Sequence, residues 1–407
     1  MCNSLLVWRL HVDFKSTAEV VIIGGGVMGA STAYYLAKRG VKDVVLLEKR
    51  YLASGPTGKS LANVRPYHGV EETVKIIREA TQIYLNFSEI VGGDAGYRNT
   101  GRIWTEPESK RKMVEDTVAI CQRAGMQVQY LSIPELEEMI PGAVTDGLGV
   151  AAYFPEAGYT NPGAVTESFA ARARELGACI FEETEVTDIE VSSGRVCSVT
   201  STRGKISTPV IVNASGIWAP RIGRMVGIDI PITPTRSQGV ICRLPWQQPA
   251  FTPIFSDGKS YYTLRCEPGN LINMLDVMEF LEPEIVDPDT MPDDADPSAL
   301  VKALDRCSAT FPALKMASYR GGYSCALDIT PDESPIMEES EEVHGFFNMV
   351  GWSGLGMQQA PVVGDLMAEF ITTGETTLVD ISVFNSRRFK ENRPLASAWL
   401  FGEIGSH

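Results

Sequence analysis

Near the start of the chain, a short apolar run is followed by glycines and then by a helical pattern. Residues 20–23 read VVII, which predicts a buried strand. Small and apolar residues then recur at helical spacing up to Arg39, and Gly40 is a typical helix stop. A second apolar run, residues 44–47, ends at Glu48. The order strand, helix, strand predicts a βαβ unit at this end of the chain.

The rest of the chain alternates between helical and strand-like patterns, without repeats. Helices are predicted near residues 70–90, 108–125, 134–140, 162–176 and 298–311, and from residue 357 onward. Strands are predicted at residues 179–190, 195–201, 205–212 and 345–350, and within a strand-rich stretch at about 230–280. Residues 281–298 are acidic and rich in proline, which predicts a loop.

Length and composition narrow the class of protein. A chain of 407 residues is long for one core and predicts two domains or one large composite. A net charge of −15 disfavours binding to nucleic acid. No apolar run of roughly 20 residues predicts a membrane span, and residues 1–17 are interpreted as a loosely docked tail.

Cysteine and histidine usage point to the compartment and argue against a metal site. The eight cysteines are scattered without a CxxC pair, a pattern typical of a reduced, cytoplasmic protein. None of the four histidines is paired at ligand spacing, so no metal site is predicted.

The glycines of the βαβ unit have the spacing GxGxxG. Gly24 permits a tight turn, Gly26 lets a pyrophosphate approach the backbone, and Gly29 allows the helix to pack on the strand. The helix N-terminus supplies N–H groups for phosphates. Glu48, at the end of the second strand, can accept from both ribose hydroxyls and would repel a 2′-phosphate. NAD and FAD both fit, and the small, polar residues 51–69 favour FAD.

Four segments, in order along nearly the whole chain, carry a resemblance to one family. They read VIIGGGVMGASTAYYLAKRG with VLLEK, SGPTGKSLANVR, VNASGIWAP, and TPDESPIM with GWSGLGMQQAPVVGDLMAEF. With these segments the chain resembles the D-amino-acid-oxidase-type FAD-dependent oxidoreductases, and most of all their sarcosine-oxidase-like branch. The resemblance implies an α/β fold with a Rossmann-like FAD-binding domain of the glutathione-reductase type. It also implies a substrate domain built on a mostly antiparallel sheet.

We expect the FAD-binding domain to be discontinuous, formed by residues 18–90, 146–232 and 322–380. Residues 91–145 and 233–321 are then expected to form the substrate domain. The resemblance assigns cofactor contacts to specific positions. They are Gly24, Gly26, Val27, Met28, Gly29, Glu48, Lys49, Ser54, Thr57, Gly58, Lys59, Ser60, Val186, Ala214, Gly216, Gly354, Leu355, Gly356, Met357 and Gln358.

Cys325 lies five residues before Thr330, in the segment SCALDITPDESPIM. In monomeric sarcosine oxidases, a cysteine in this place holds the flavin through a thioether. The resemblance therefore implies that covalent attachment at Cys325 is one alternative. A small buried cysteine that only fills space is the other.

The substrate site is expected around Arg65, the position at which sarcosine-type relatives use an arginine, because guanidinium pairs bidentately with carboxylate. D-amino-acid and glycine oxidases carry an arginine where this chain has Leu327. Gln358 stands where sarcosine-type relatives have a lysine, so a carboxylate would meet less positive charge. His68 and Tyr262 are further candidates for catalytic roles.

The resemblance implies oxidation of the C–N bond of a small amino acid or of an N-methyl or secondary amine, sarcosine-like or proline-like, to an imine that is then hydrolysed. The resemblance implies that Ile272 stands where sarcosine oxidases place a lysine that activates oxygen, which favours a dehydrogenase. Alternatives are the FAD subunit of a heteromeric amine, opine or proline dehydrogenase, a flavin-binding assembly factor without turnover, and an NAD enzyme. A homo-oligomer is a further alternative for the assembly.

Overall fold

The computed structural model describes residues 13–248, 252–277 and 283–395, so most of the predicted tail lies outside the described residues. The α-helices are α1 (Val27–Lys38), α2 (Glu71–Leu85), α3 (Phe87–Ile90), α4 (Arg111–Arg123), α5 (Ile133–Met139), α6 (Pro162–Glu175), α7 (Ala219–Met225), α8 (Pro297–Thr310), α9 (Ala360–Thr373) and α10 (Arg387–Lys390). Short 3-10 helices lie at Pro56–Lys59, Glu108–Lys110, Gly216–Trp218, Pro312–Met316 and Ile381–Phe384.

The strands within the described residues are short, with two exceptions of eleven and twelve residues. They are β1 (Val20–Ile23), β2 (Val44–Leu47), β3 (Asn63–Val64), β4 (Arg102–Glu106), β5 (Gln129–Leu131), β6 (Val150–Phe154), β7 (Gly158–Tyr159), β8 (Cys179–Phe181), β9 (Val186–Ser192), β10 (Arg195–Ser201), β11 (Gly204–Ser207), β12 (Ile211–Asn213), β13 (Thr233–Arg243), β14 (Ile254–Asp257), β15 (Tyr262–Glu267), β16 (Leu271–Asp276), β17 (Glu284–Ile285), β18 (Ser318–Ile329), β19 (Ile336–Glu339) and β20 (Phe346–Val350).

A six-stranded sheet with the order β19-β20-β12-β1-β2-β8 carries the predicted βαβ unit. Its strands are parallel except for the edge pair β19 and β20. Strand β1 is buried on both faces, because Ile22 packs in the core with α1 while Val21 packs in the core on the opposite side. Such a continuous apolar run is typical of a parallel sheet covered on both faces.

Two layers cover this sheet. Helices α1, α6 and α9 pack together on one side, where Ser31 Oγ donates to the Ala360 carbonyl over 2.7 Å. The helices approach closely at this point, since a Cβ on Gly364 would lie 2.1 Å from Ser31 Oγ. On the other side, apolar residues of the three-stranded sheet β11-β10-β9 join the core. The layered arrangement holds the N-terminus of α1 at one edge of the sheet.

A second, larger sheet has the order β17-β13-β16-β15-β14-β4-β6-β5, and β18 also pairs with β13. Its pairs are antiparallel except for β14 with β4. Helices α5 and α8 pack against it around a core that includes Leu136, Ala303 and Met274. The predicted α/β fold, with a Rossmann-like half and a mostly antiparallel half, is confirmed.

Several details differ from the sequence-based expectations. The predicted strand 179–190 is two strands, β8 and β9, because Glu183 between them adopts a left-handed backbone with φ of +52°. The predicted strand 205–212 is likewise split, and Pro209 lies in the break, where it has no N–H to donate to a ladder. Helix α9 begins at Ala360, after a turn through residues 357–359.

Sheet membership crosses the predicted domain limits at two places. Strand β6 pairs with β4 and β5 in the second sheet, although the predicted FAD segment begins at residue 146. Strand β18 pairs with β13 from Ser318 to Ile329, across the predicted limit at residue 322. The domain boundaries themselves stay a prediction.

Candidate functional site

A cavity of about 330 Å³ lies where the edges of the two large sheets meet. The parallel sheet contributes the carboxyl ends of β1, β2 and β12, which is where α/β folds bind nucleotides. The antiparallel sheet contributes residues of β4, β14, β15 and β18. One space is therefore lined both by the predicted cofactor motif and by the second sheet.

Most of the residues predicted from the sequence line this cavity. They are Gly24, Gly26, Val27, Met28, Glu48, Lys49, Ser54, Thr57, Lys59, Ser60, Arg65, Val186, Ala214, Gly216, Tyr262, Cys325, Gly354, Leu355, Gly356, Met357 and Gln358. Gly29, Gly58 and His68 lie outside the lining. Segments separated by more than 300 residues in sequence thus meet at one site.

The glycine turn between β1 and α1 is packed too closely to admit side chains. Gly24 has φ of +114°, and a Cβ there would lie 2.5 Å from the Ala214 carbonyl oxygen. A Cβ on Gly29 would lie 2.0 Å from the Gly24 carbonyl oxygen, so Gly29 acts behind the lining by letting α1 meet the turn. The first turn of α1 therefore faces the cavity with accessible backbone, as a pyrophosphate requires. These residues fit FAD.

Glu48 stands at the end of β2 with its carboxylate held in place. Its two oxygens accept from Gly25 N over 2.7 Å and from Arg50 N over 2.8 Å. A carboxylate oxygen has a second lone pair, so each can also accept from a ribose hydroxyl. The side chain is thus oriented for the predicted contact by the backbone on both sides of it.

The segment after β2 folds over the same end of the cavity. Thr57 Oγ1 accepts from Val27 N over 3.2 Å, which fixes the loop against the first turn of α1. Gly58 supports the loop from behind, because a Cβ there would lie 2.3 Å from the Ala53 carbonyl oxygen. Lys59 makes an ion pair with Asp293, so its charge is already engaged.

The C-terminal turn, residues 351–358, contributes Trp352 and residues 354–358 to the cavity lining. Asp328 Oδ2 accepts from Gly351 N and Trp352 N, each over 3.0 Å. Burial raises the pKa of Asp328 to about 6, although those two N–H groups act in the other direction. Tyr84 Oη donates to the Met357 carbonyl over 2.6 Å. These contacts hold the turn rigidly beside the cavity.

Arg65 and Gln358 are brought together from opposite ends of the chain. Gln358 Oε1 accepts from Arg65 N over 3.2 Å, while Gln358 Nε2 is buried without a hydrogen-bond partner among the described residues. The Arg65 guanidinium lies 5.1 Å from the centre of the Tyr67 ring. Burial lowers the pKa of Arg65 to about 9, and the neighbouring Arg102 acts in the same direction. The pair offers amide and guanidinium donors to a bound group.

Cys325 forms part of the cavity wall, on β18 opposite Ser237 of β13. Its thiol donates to the Pro56 carbonyl over 3.7 Å. Burial raises the pKa of this thiol to about 12, against the opposing influence of Lys59. The side chain is therefore in the predicted place, but as a protonated thiol.

His68 does not join the site, although it is only three residues from Arg65. It is buried, and its Nδ1 accepts from Val70 N over 3.1 Å at the start of α2. Burial lowers the pKa of His68 to about 3, and Arg65 acts in the same direction. The ring thus fixes the backbone just before α2 as a neutral group outside the cavity lining, and its catalytic role stays a prediction.

Tyr261 and Tyr262 both line the cavity, whereas strand alternation predicts that only one of them points inward. Tyr261 precedes β15 and has a left-handed backbone with φ of +58°, so alternation does not apply to it. Lys110 Nζ lies 5.1 Å from the centre of its ring. Tyr262 is buried, and burial raises the pKa of its hydroxyl.

The sequence interpretation missed a group of residues on β4. Arg102, Trp104 and Glu106 line the cavity and are buried. They alternate along the strand RIWTE, and this alternation of large polar and aromatic residues was the available signal, because side chains two apart share one face.

Within the described residues, no three His, Cys, Asp or Glu side chains are grouped as metal ligands. No helix among the described residues is long and apolar enough to cross a bilayer.

Comparison with known proteins gives consistent matches. The family model described as "DAO: FAD dependent oxidoreductase" matches residues 19–370. Human mitochondrial dimethylglycine dehydrogenase is 29% identical over 380 residues, covering 90% of this chain and 44% of that protein. Mouse mitochondrial sarcosine dehydrogenase is 26% identical over 395 residues, covering 95% of this chain and 43% of that protein.

Among solved structures, L-proline dehydrogenase from P. horikoshii superposes with a TM-score of 0.86 and 27% identity, covering 94% of this chain and 100% of that one. The chain therefore spans less than half the length of the two mitochondrial dehydrogenases, but the full length of this structural neighbour.

Proposed function

The chain belongs to the FAD-dependent oxidoreductase family, and from this premise we propose that it oxidises the C–N bond of a small amino acid or of an N-methyl or secondary amine. The observation that carries the proposal is the meeting of the dinucleotide turn, the C-terminal turn and Arg65 around one cavity. Relatives that match most of the chain act, by their names, on dimethylglycine and sarcosine. The product is an imine that water hydrolyses.

The residues around Arg65 supply binding and orientation. The guanidinium holds the substrate carboxylate, and Gln358 Nε2 provides a further donor beside it. Tyr67 and Trp104 stack with their ring centres 4.3 Å apart and exclude water from this end of the cavity. When bound, FAD supplies the two-electron acceptor for the substrate hydride. The chain's own contribution is to place and desolvate the amine, since no strong general base is required for a neutral amine.

The test is reduction of the purified yellow protein under anaerobic conditions by a panel containing sarcosine, proline and D-alanine. We expect at least one of these amines to bleach the flavin. Arg65→Gln should raise the half-saturating substrate concentration by roughly 30-fold, which corresponds to about 2 kcal/mol for a buried charge-assisted contact. Arg98→Gln is the matched control, because Arg98 is exposed and lies outside the cavity lining.

Two outcomes would contradict the proposed activity or the role of Arg65. If dithionite bleaches the flavin but no amine in the panel does, the proposed activity fails and a flavin-binding protein without turnover is favoured. If amines bleach the flavin and Arg65→Gln behaves like Arg98→Gln, the activity stands but the role given to Arg65 fails.

A further inference from the structure

Arg102 is a buried arginine in the cavity wall that keeps unused hydrogen-bond donors. It lies on β4 and is 3% exposed. One of its terminal nitrogens donates to Ser256 Oγ and, over 3.4 Å, to Thr263 Oγ1. Its Nε and other terminal nitrogen are buried without a hydrogen-bond partner among the described residues. Because a buried donor without a partner is destabilising, these N–H groups point to a ligand that the cavity receives.

The two hydroxyls fix the direction of the Arg102 side chain without neutralising it. Ser256 on β14 and Thr263 on β15 are paired in the sheet, and both line the cavity beside Arg102. The described residues give Arg102 these neutral partners and no carboxylate. A guanidinium held in this way is oriented before an anion binds to it.

The acid on the same strand does not neutralise Arg102. Glu106 Oε1 accepts from Trp104 Nε1 over 3.0 Å, and Glu106 Oε2 lies 3.7 Å from Lys110 Nζ. A Cβ on Gly258 would lie 2.1 Å from Glu106 Oε2, so this glycine leaves room for the carboxylate where it stands. The negative charge of Glu106 is thus placed towards Lys110.

Arg65 lies near Arg102 but has a carboxylate of its own nearby. The guanidinium carbons of Arg102 and Arg65 lie 5.7 Å and 5.1 Å from the centre of the Tyr67 ring. The Glu333 carboxylate acts to raise the pKa of Arg65, whereas Arg102 acts to lower it. A substrate group that reaches Arg65 therefore also comes close to the unused donors of Arg102.

We propose that Arg102 is a second substrate-binding arginine, which donates an unused N–H group to the substrate carboxylate alongside Arg65. The bound carboxylate supplies the counter-charge that the described residues do not give Arg102, and buried charges are normally paired. An amine without a carboxylate would leave this guanidinium uncompensated. The inference rests on the proposed function and narrows its substrate class to amines that carry a carboxylate, that is, to amino acids.

The first test measures binding without turnover. Butyrate and butyramide, which are similar in shape and differ in charge, are titrated into the holoenzyme and followed by perturbation of the flavin absorbance. We expect the wild-type protein to bind butyrate at least about tenfold more tightly than butyramide. In Arg102→Gln the affinity for butyrate should fall by about tenfold, while that for butyramide changes by less than about twofold. Arg98→Gln, an exposed control outside the cavity lining, should keep both affinities.

Arg102→Lys is a second variant that keeps a cation at this position. We expect it to weaken butyrate binding by about threefold, because an ammonium group lacks the planar donor geometry of guanidinium. Thermal unfolding without ligand and the flavin content show whether each variant is folded. If Arg102→Gln does not retain flavin, the affinity of Arg102→Lys for butyrate decides the test.

The second test compares anaerobic flavin reduction by each amino acid and by its decarboxylated counterpart. The pairs are sarcosine with dimethylamine, proline with pyrrolidine, and D-alanine with ethylamine. For the amino acid that bleaches the flavin best, we expect a second-order rate constant at least about 100-fold above that of its counterpart. In Arg102→Gln this advantage should shrink by about tenfold, and in Arg98→Gln it should persist.

Three results overturn the inference and leave the proposed function standing. They are wild-type affinity for butyrate in the Arg102 variants, equal rates for amino acids and their decarboxylated counterparts, and an altered flavin spectrum in Arg102→Gln with unchanged affinity for butyrate. The last result would assign Arg102 to the flavin instead of the substrate. If no amine bleaches the flavin, the proposed function fails, and the substrate class inferred from it fails as well.

Discussion

At the scale of single residues, Cys325 combines a suitable position with an unsuitable protonation state. It lines the cavity, in the place where the resemblance implies a thioether to the flavin. The nucleophile in such a reaction is the thiolate, and burial that raises the pKa of this thiol to about 12 keeps it protonated near neutral pH. Position alone therefore does not make this cysteine reactive.

We expect FAD to be bound without a covalent link to Cys325. Acid precipitation should release the yellow colour into the supernatant, and Cys325→Ser should keep the flavin occupancy of the wild-type protein. Cys242→Ser serves as a control, since Cys242 is buried in the core of the second sheet. A yellow pellet from the wild-type protein and a colourless one from Cys325→Ser would contradict this expectation.

The sequence located some site residues and missed others for a physical reason. The glycine turn and Glu48 carry local signals, because spacing and strand ends are visible along the chain. Arg102 carries no such signal alone, since its role depends on Ser256 and Tyr67, which are distant in sequence or on another strand. His68 lies outside the cavity lining although it is close to Arg65 in sequence, because sequence proximity does not fix the direction of a side chain.

At the scale of elements, α10 is fixed to the turn that follows β18. Arg388 donates to both oxygens of Asp332, over 2.7 Å and 2.9 Å, and both side chains are buried. Asp332 also accepts from Ser334 N over 3.1 Å and from Leu395 N over 2.9 Å. The Asp332 carboxylate thus organises a turn, a helix and the segment after that helix.

Arg388→Met should destabilise the protein by about 3–5 kcal/mol, because it leaves the Asp332 carboxylate buried without its cation. Arg387→Met is the matched control, since the ion pairs of Arg387 with described residues, Glu341 and Glu391, are exposed, and this substitution should cost less than about 1 kcal/mol. Urea unfolding followed by tryptophan fluorescence measures both. Equal losses of stability in the two variants would show that the buried pair is not a major contributor.

Elements with strong local patterns were predictable, and those decided by single backbone conformations were not. The βαβ unit, α6 and the strand-rich stretch follow from apolar periodicity. The break at Glu183 depends on one left-handed residue, for which glutamate gives no sequence signal. Strand β18 extends across the predicted domain limit because its pairing with β13 is a long-range property.

At the scale of the whole molecule, an acidic segment, residues 284–296, joins the two halves beside the cavity. Asp289 makes an ion pair with Lys49 over 3.2 Å and another with Arg221, and it accepts from Trp218 Nε1 over 2.8 Å. Burial raises the pKa of Asp289, but the hydrogen bonds from Arg221, Trp218 and Lys49 lower it to about 2. The sequence predicted a loop here but not its partners.

Asp289→Asn should loosen this connection, because Lys49, Trp218 and Arg221 all line the cavity. During heating, we expect the temperature at which flavin fluorescence appears to be a few degrees lower for Asp289→Asn than for the wild-type protein. We also expect the wild-type temperature to fall towards that of the variant as salt screens the exposed pairs. Asp305→Asn is the control, since Asp305 is exposed on α8. A salt response that is the same in both variants and the wild type would contradict the role of the segment.

The strand order of the parallel sheet has a consequence for biosynthesis. Strand β12 is made almost 200 residues after its neighbour β1, and β20 follows only at residue 346. The glycine turn of a nascent chain is therefore made long before the walls that complete the cofactor cradle. We expect flavin capture to wait for β20, so that a chain arrested before this strand should emerge as an apoprotein.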